Sequence, residues 1–204
     1  MSTLSTAVAP RRQQGFSLIE VSIVTAIVLL IAIIGIPAIS SYVIENKVPK
    51  VAEELQRYVA RIKANAQGAG TTPYANLDTG SLANALRDSS VVSVGGSGPG
   101  AVVAHGLGGN GTAGNGVITV MPVSVSGGGA GSGFSIRFSN VNNAACPTLA
   151  SVMQRVSDNI TVEGAGGAVT VKDSTVVPRL AYSAAVAESQ CTEGDHNTFV
   201  FTIR

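Results

Sequence analysis

The chain has 204 residues, with 13 Lys and Arg against 12 Asp and Glu and a formal net charge of +1. That balance gives no support to nucleic acid or acidic lipid as a partner, since either asks for a broad basic face. A single apolar segment near the start leaves roughly 140 residues downstream, enough for one domain around one core.

Residues 11–40 read RRQQGFSLIEVSIVTAIVLLIAIIGIPAIS, and no residue between Val21 and Ile44 carries a charge. At about 1.5 Å per helical residue the run can cross a hydrocarbon core of roughly 30 Å. Arg11 and Arg12 lie upstream of it and act as a positive-inside signal, which keeps the amino terminus cytoplasmic and sends the domain after Ser40 outward. Glu20 stands at the mouth of the run. An ionisable group at membrane depth costs roughly 2.5 to 3.5 kcal/mol, so Glu20 is a candidate functional residue in need of a positive partner. A secretory signal cut within residues 37–41, using Ala38 and Ser40, conflicts with the length of the run. A twin-arginine export signal has a weaker apolar region than residues 24–34. A plain uncleaved anchor accounts for the span but leaves Gly15 and Glu20 without a role.

Beyond the span the helical pattern continues. Val48, Val51, Leu55, Val59 and Ile62 recur at steps of three and four, with Lys50, Glu53, Glu54, Arg57 and Arg61 on other faces. The pattern stops in residues 67–73, QGAGTTP, where Gly and Pro cluster. Residues 16 to 66 are thus expected to form one helix of roughly 75 Å. Gly35 with Pro37, and later Pro49, should bend or loosen it, because proline removes a backbone bond and crowds the preceding turn.

The remainder reads as α+β, an antiparallel sheet packed on the long helix. A short helix is predicted over residues 81–88, and a Gly-rich region over 95–133 holds the β-branched runs AVVA and VITVMPVSV. Further strands are predicted from Phe134 (FSIRFSNV), Asn159 (NITVE), Ala168 (AVTVK) and in the terminal TFVFTIR. Between them residues 146–158 are helical, with Pro147 suited to the first turn and Leu149, Val152, Met153 and Val156 on one face. Cys146 and Cys191, placed outside the cell by the topology above, are expected to form a disulfide.

Signals for chemistry are weak. Gly106, Gly108 and Gly111 satisfy G-x-G-x-x-G, but a strand pattern follows them where a phosphate site needs a helix, so a flexible hairpin loop is the reading. CTEGDH, with Cys191, Asp195 and His196, matches no common zinc spacing. No G-x-S-x-G occurs, and the sequons at Asn110 and Asn159 are chance matches in polar loops. The chain is therefore expected to be no enzyme, with no catalytic residue, metal or cofactor.

GFSLIEV, residues 15–21, resembles the processing site of type IV prepilins. In that family a short basic leader ends in Gly, the next residue is usually Phe and becomes N-methylated, and a Glu follows five positions into the mature chain. The resemblance implies cleavage between Gly15 and Phe16, methylation of Phe16 and an assembly role for Glu20. It also fits physically, since Gly15 lets an extended backbone lie close in a peptidase cleft. Cleavage creates an α-amino group at Phe16, largely cationic near neutral pH, which is the positive partner that Glu20 lacks. Helix geometry allows Glu20 to meet its own amine, whereas the family implies the amine of a neighbouring subunit. The family further implies that Gly35 and Pro37 mark a segment able to melt in the filament, and that the cysteines bound a surface region of subunit contacts.

The implied organisation is a leader over 1–15, a transmembrane and assembly half-helix over 16–44, an amphipathic half over 45–67 and a head over 68–204. The implied partners are further copies of the chain, a prepilin peptidase and methyltransferase, the pilus assembly machinery and, before assembly, the inner membrane. The helix after Cys146 and the wide cysteine spacing are like the type IVb branch, while Phe16 and the short leader are like type IVa. The alternatives are a minor pilin, a secretion-system pseudopilin, or a bitopic envelope protein that forms no filament.

Overall fold

The computed structural model describes residues 15–164 and 166–204. Arg11 and Arg12 lie outside the described residues. The chain divides at Ser40 into two units. One helix, α1 (Leu18–Asn65), begins in the first and continues into the second, and its helical assignment is unbroken at Gly35, Pro37 and Pro49. It starts at Leu18 where the sequence pattern suggested Phe16, because Ser17 closes the first turn from outside the helix, as described below.

The second unit is an α+β head. Its α1 portion buries Val48, Val51, Leu55 and Val59, with Ala52 and Tyr58 between them, while Glu53, Arg57 and Lys63 are exposed. The three- and four-residue spacing puts those apolar groups on one stripe. Ile62 is only half-buried against the same core. Helix α2 (Thr79–Leu86) starts earlier than residue 81, because Asp78 caps it by accepting a 2.9 Å bond from the Ser81 N–H. The Tyr58 and Ser81 hydroxyls, 2.8 Å apart, tie α2 to α1.

The strands are β1 (Ser93–Gly95), β2 (Val102–Ala104), β3 (Val117–Val123), β4 (Gly133–Val141), β5 (Asn159–Gly164), β6 (Gly167–Asp173) and β7 (Asn197–Ile203). Among the described residues they form one seven-stranded sheet in the order β1-β2-β3-β4-β7-β5-β6. Every neighbouring pair is antiparallel. The last strand therefore enters between two earlier ones, and the sheet is incomplete without it. The alternation in β7 points Phe199, Phe201 and Ile203 into the core, opposite Phe138, Ile136 and Phe134 of β4. Burial of each of these side chains contributes about 1.5 to 3 kcal/mol.

Helix α3 (Cys146–Met153) ends sooner than its apolar pattern, which ran to residue 158. Side chains take the carbonyls at and just beyond its end in place of further turns: Ser157 Oγ donates to Met153 O at 2.9 Å, and Lys172 Nζ donates to Gln154 O and Ser157 O, both at 2.6 Å. A further helix, α4 (Ala184–Ser189), and the strand β1 carry no clear sequence pattern.

Candidate functional site

Among the described residues nothing lies within 4 Å of the position a Gly15 Cβ would occupy, and Phe16 is 88% exposed. At the helix start the Ser17 N–H donates to Glu20 Oε2 at 2.9 Å, and Ser17 Oγ accepts from the Ile19 N–H at 3.4 Å. Ser17 and Glu20 thus form a capping box, each satisfying a backbone donor near the other. The Ser-x-x-Glu spacing of residues 17–20 is its signature in the sequence. Among the described residues no ion pair includes Glu20.

From Val21 onward the first unit presents apolar side chains outward, among them Ile23, Leu30, Ile33 and Ile36, each more than half exposed. Two of its hydroxyls bond back to the helix, Ser22 Oγ donating to Ile19 O at 2.9 Å and Thr25 Oγ1 to Val21 O at 2.7 Å. Gly35 has open space around it. α1 is long and apolar enough in this part to cross a membrane, and none of that window is buried within the chain. So large an apolar surface is not left facing water, and lipid or other protein must cover it.

In the head the two cysteines meet. Cys146, the first residue of α3, bonds to Cys191, which follows α4, with Cα atoms 5.9 Å apart at a sequence separation of 45. The bridge encloses α3, β5, β6 and α4. The segment after Cys191 is fastened by Asn197, fully buried, whose amide accepts from Thr192 N–H at 2.7 Å and donates to Val141 O at 3.1 Å. Asp195 is equally committed, accepting from the Gly109 N–H at 2.9 Å and Asn142 Nδ2 at 2.6 Å. CTEGDH is thus a latch holding the β2–β3 loop. Among the described residues no group of three or more His, Cys, Asp or Glu could hold a metal ion.

The GLGGNG loop is a hairpin connection, as expected, but a pinned one. Gly108 has φ of +141°, and a Cβ there would come within 2.6 Å of Asn140 O and Asn142 N. His105 opens this loop, fully buried: Nε2 donates to Ser139 O at 2.9 Å, and Nδ1 accepts from the Leu107 N–H at 3.0 Å. Burial lowers its pKa from 6.5 to about 4, outweighing the upward pull of the Ser139 carbonyl and of Asp195. A histidine so depressed favours the fold while neutral. The contribution is complete above pH 6.5 and is lost as pH falls toward about 4. The loss amounts to roughly 3 kcal/mol. Asp173, held below its ordinary 3.8 chiefly by the Thr175 hydroxyl, loses its own contribution only at lower pH. Urea unfolding from pH 6.5 to 4 is expected to show this decline and a flatter profile in His105→Gln; equal slopes would refute it.

Residues 50–204 match the family described as PilS N terminal, and residues 10–36 match the prokaryotic N-terminal methylation motif. The chain belongs to the PilS family of type IV pilins. Among solved structures the pilin is similar to the type IV b pilin from Salmonella typhi, at 25% identity and a TM-score of 0.48, over 74% of this chain and 94% of that one. It is also similar to TcpA, a type IV pilin from the Vibrio cholerae El Tor biotype, at 17% identity and a TM-score of 0.51, over 78% of this chain and 99% of that one. The second likeness supports the fold: a long amino-terminal helix on an antiparallel sheet. No curated protein matches the chain. Pilins carry an apolar amino-terminal helix that anchors in the membrane, and pili are extracellular.

Proposed function

We propose that the chain is made as a membrane-anchored prepilin, cleaved after Gly15, N-methylated at Phe16 and assembled through its apolar helix as the main subunit of a homopolymeric filament. The observation that carries this reading is the Gly15–Phe16 junction standing directly before an apolar helix that the chain itself does not cover. In the precursor, Arg11 and Arg12 hold the amino terminus on the cytoplasmic side of the inner membrane and the head faces outward. The peptidase and methyltransferase act there. On assembly, neighbouring subunits replace lipid around residues 16–44, and Gly35 and Pro37 provide the place where the helix loosens. The head is a structural and contact-making body, with no catalytic role assigned to it.

Amino-terminal sequencing of the mature protein is the direct test. N-methyl-Phe16 is the expected result; a start at Ser41 would indicate a secreted protein, and an intact Met1 a plain anchor. Gly15→Leu is expected to accumulate as the uncut precursor, because a branched side chain holds the backbone away from the peptidase. Normal processing of that variant would refute the prepilin reading.

A further inference from the structure

The two ends of the β5–β6 hairpin abut surfaces of opposite charge. At the Asp158 end lies a cleft of about 320 Å³ lined by Val59, Lys63, Arg155, Asp158 and Lys172. The carboxylate lining it, Asp158, is engaged, Oδ2 accepting from the Arg204 N–H at 2.8 Å and Oδ1 from Ser174 Oγ at 3.2 Å. Asp173, opposite Asn159 at the same end, is engaged as well, accepting from Asn159 Nδ2 at 2.9 Å and Thr175 Oγ1 at 2.6 Å, so three cations stand against two carboxylates. Lys172 is held by the Gln154 and Ser157 carbonyls, which orient its ammonium but do not neutralise it. Among the described residues the only ion pairs are those of Arg57 with Glu53 and Glu54, so the exposed Lys63 and Arg155 have no ionic partner. The cleft therefore holds an excess of positive charge that the subunit does not cancel.

At the other end Gly164 approaches the backbone so closely that a Cβ would collide with Gln190 O. This brings Glu163 of β5 to the segment that carries Glu188 on α4 and Glu193 after the disulfide. All three carboxylates are exposed, and none is in an ion pair among the described residues. From Asp158 to Glu163 is roughly 17 Å at about 3.3 Å per strand residue, beyond the screening length of about 8 Å in physiological salt. The two ends cannot neutralise each other within one chain. Two copies can do so, and because the patches differ, the contact is head-to-tail and repeats into an open helical array instead of closing as a dimer.

We propose that in the filament the cationic cleft of one subunit receives the Glu163, Glu188 and Glu193 end of a second copy. The proposal rests on the filament reading above and names one contact within it. A net charge of +1 favours this occupant over a polyanion.

The test uses the full-length chain in the cell that assembles it. Lys63→Glu with Arg155→Glu reverses the cleft, and Glu163→Lys with Glu188→Lys reverses the acidic end; Lys172 and Asp158 stay intact because they hold the fold. Each reversal is expected to lower sheared filament yield about tenfold while mature length and the disulfide are retained, and combining both to restore it to within about threefold of wild type. Wild-type yield from either reversal, or a combination no better than the worse reversal, overturns the contact. If a reversed chain loses its disulfide, the neutral pair Lys63→Gln with Arg155→Gln decides, with unchanged yield overturning the proposal and reduced yield supporting it. Wild-type protein that is processed but never polymerises would instead overturn the filament reading itself.

Discussion

Replacing Cys146 by Ser lowers the stability of the head by about 4 kcal/mol, the chain-entropy value of closing a loop of this length. That is a large share of the 5 to 15 kcal/mol that typically holds a domain together. The effect is concentrated by topology. The bridged segment contributes β5, which pairs with β7, and β7 in turn pairs with β4. Loosening residues 146–191 therefore weakens the attachment of the strand that completes the sheet. Cys146 is also fully buried, so Ser adds the cost of an unpaired hydroxyl. In urea unfolding of the detergent-solubilised chain, at a slope of about 2 kcal/mol/M, the midpoint is expected to fall by about 2 M. Filament yield should fall with it while leader removal is unchanged, since the bridge forms after the head has left the cytoplasm. Free thiols at both cysteines in protein taken from the cell surface would overturn the assignment.

What could be read from the residues and what could not divides along the range of the interactions. The buried stripe of α1 and the alternation of Phe199, Phe201 and Ile203 are local periodicities, and both appeared in the structure where the pattern put them. The insertion of β7 between β4 and β5 is a pairing between distant segments, and no local pattern announces it. The short β1 includes Gly95, and α4 is a six-residue helix; each takes its form from neighbours more than from propensity. The polar ties were the least legible. Asp195 and its donor Gly109 are 86 residues apart, and Asn197 and Val141 are 56 apart. In the sequence Asp195 belongs to a polar CTEGDH run that invites a metal reading, and Asn197 simply follows it. At the candidate site Gly15 and Phe16, proposed for processing, and Glu20, proposed for assembly, are legible because they border the uncharged apolar run, whereas the Ser17 cap is a short polar spacing that many helix starts share.

Glu20→Ala is expected to abolish filaments while insertion and cleavage after Gly15 proceed, and the capping box makes the neighbouring substitution the sharper experiment. In the structure Glu20 Oε2 accepts the Ser17 N–H. A carboxylate has acceptor capacity beyond one bond, so capping at the helix start and pairing with a neighbour's Phe16 amine are compatible. Alanine removes both, the return bond of the capping box as well as the charge, while Ser17 keeps its own bond to the Ile19 N–H. Glutamine retains an amide oxygen able to accept from Ser17 but carries no charge. The Coulomb attraction it forfeits is on the order of 4 kcal/mol at about 4 Å and an effective dielectric near 20, before desolvation is subtracted. If the ion pair drives assembly, Glu20→Gln fails almost as completely as Glu20→Ala. If the helix cap is the whole role, Glu20→Gln assembles like wild type and the intersubunit reading is wrong. Co-expression separates the remaining geometries, because a few Glu20→Ala chains among wild-type ones still present amines that an intact neighbouring carboxylate can meet. They should then enter filaments at low fraction, detected by shearing, sedimentation and a blot for mature length; their complete exclusion would place the pair within a single chain.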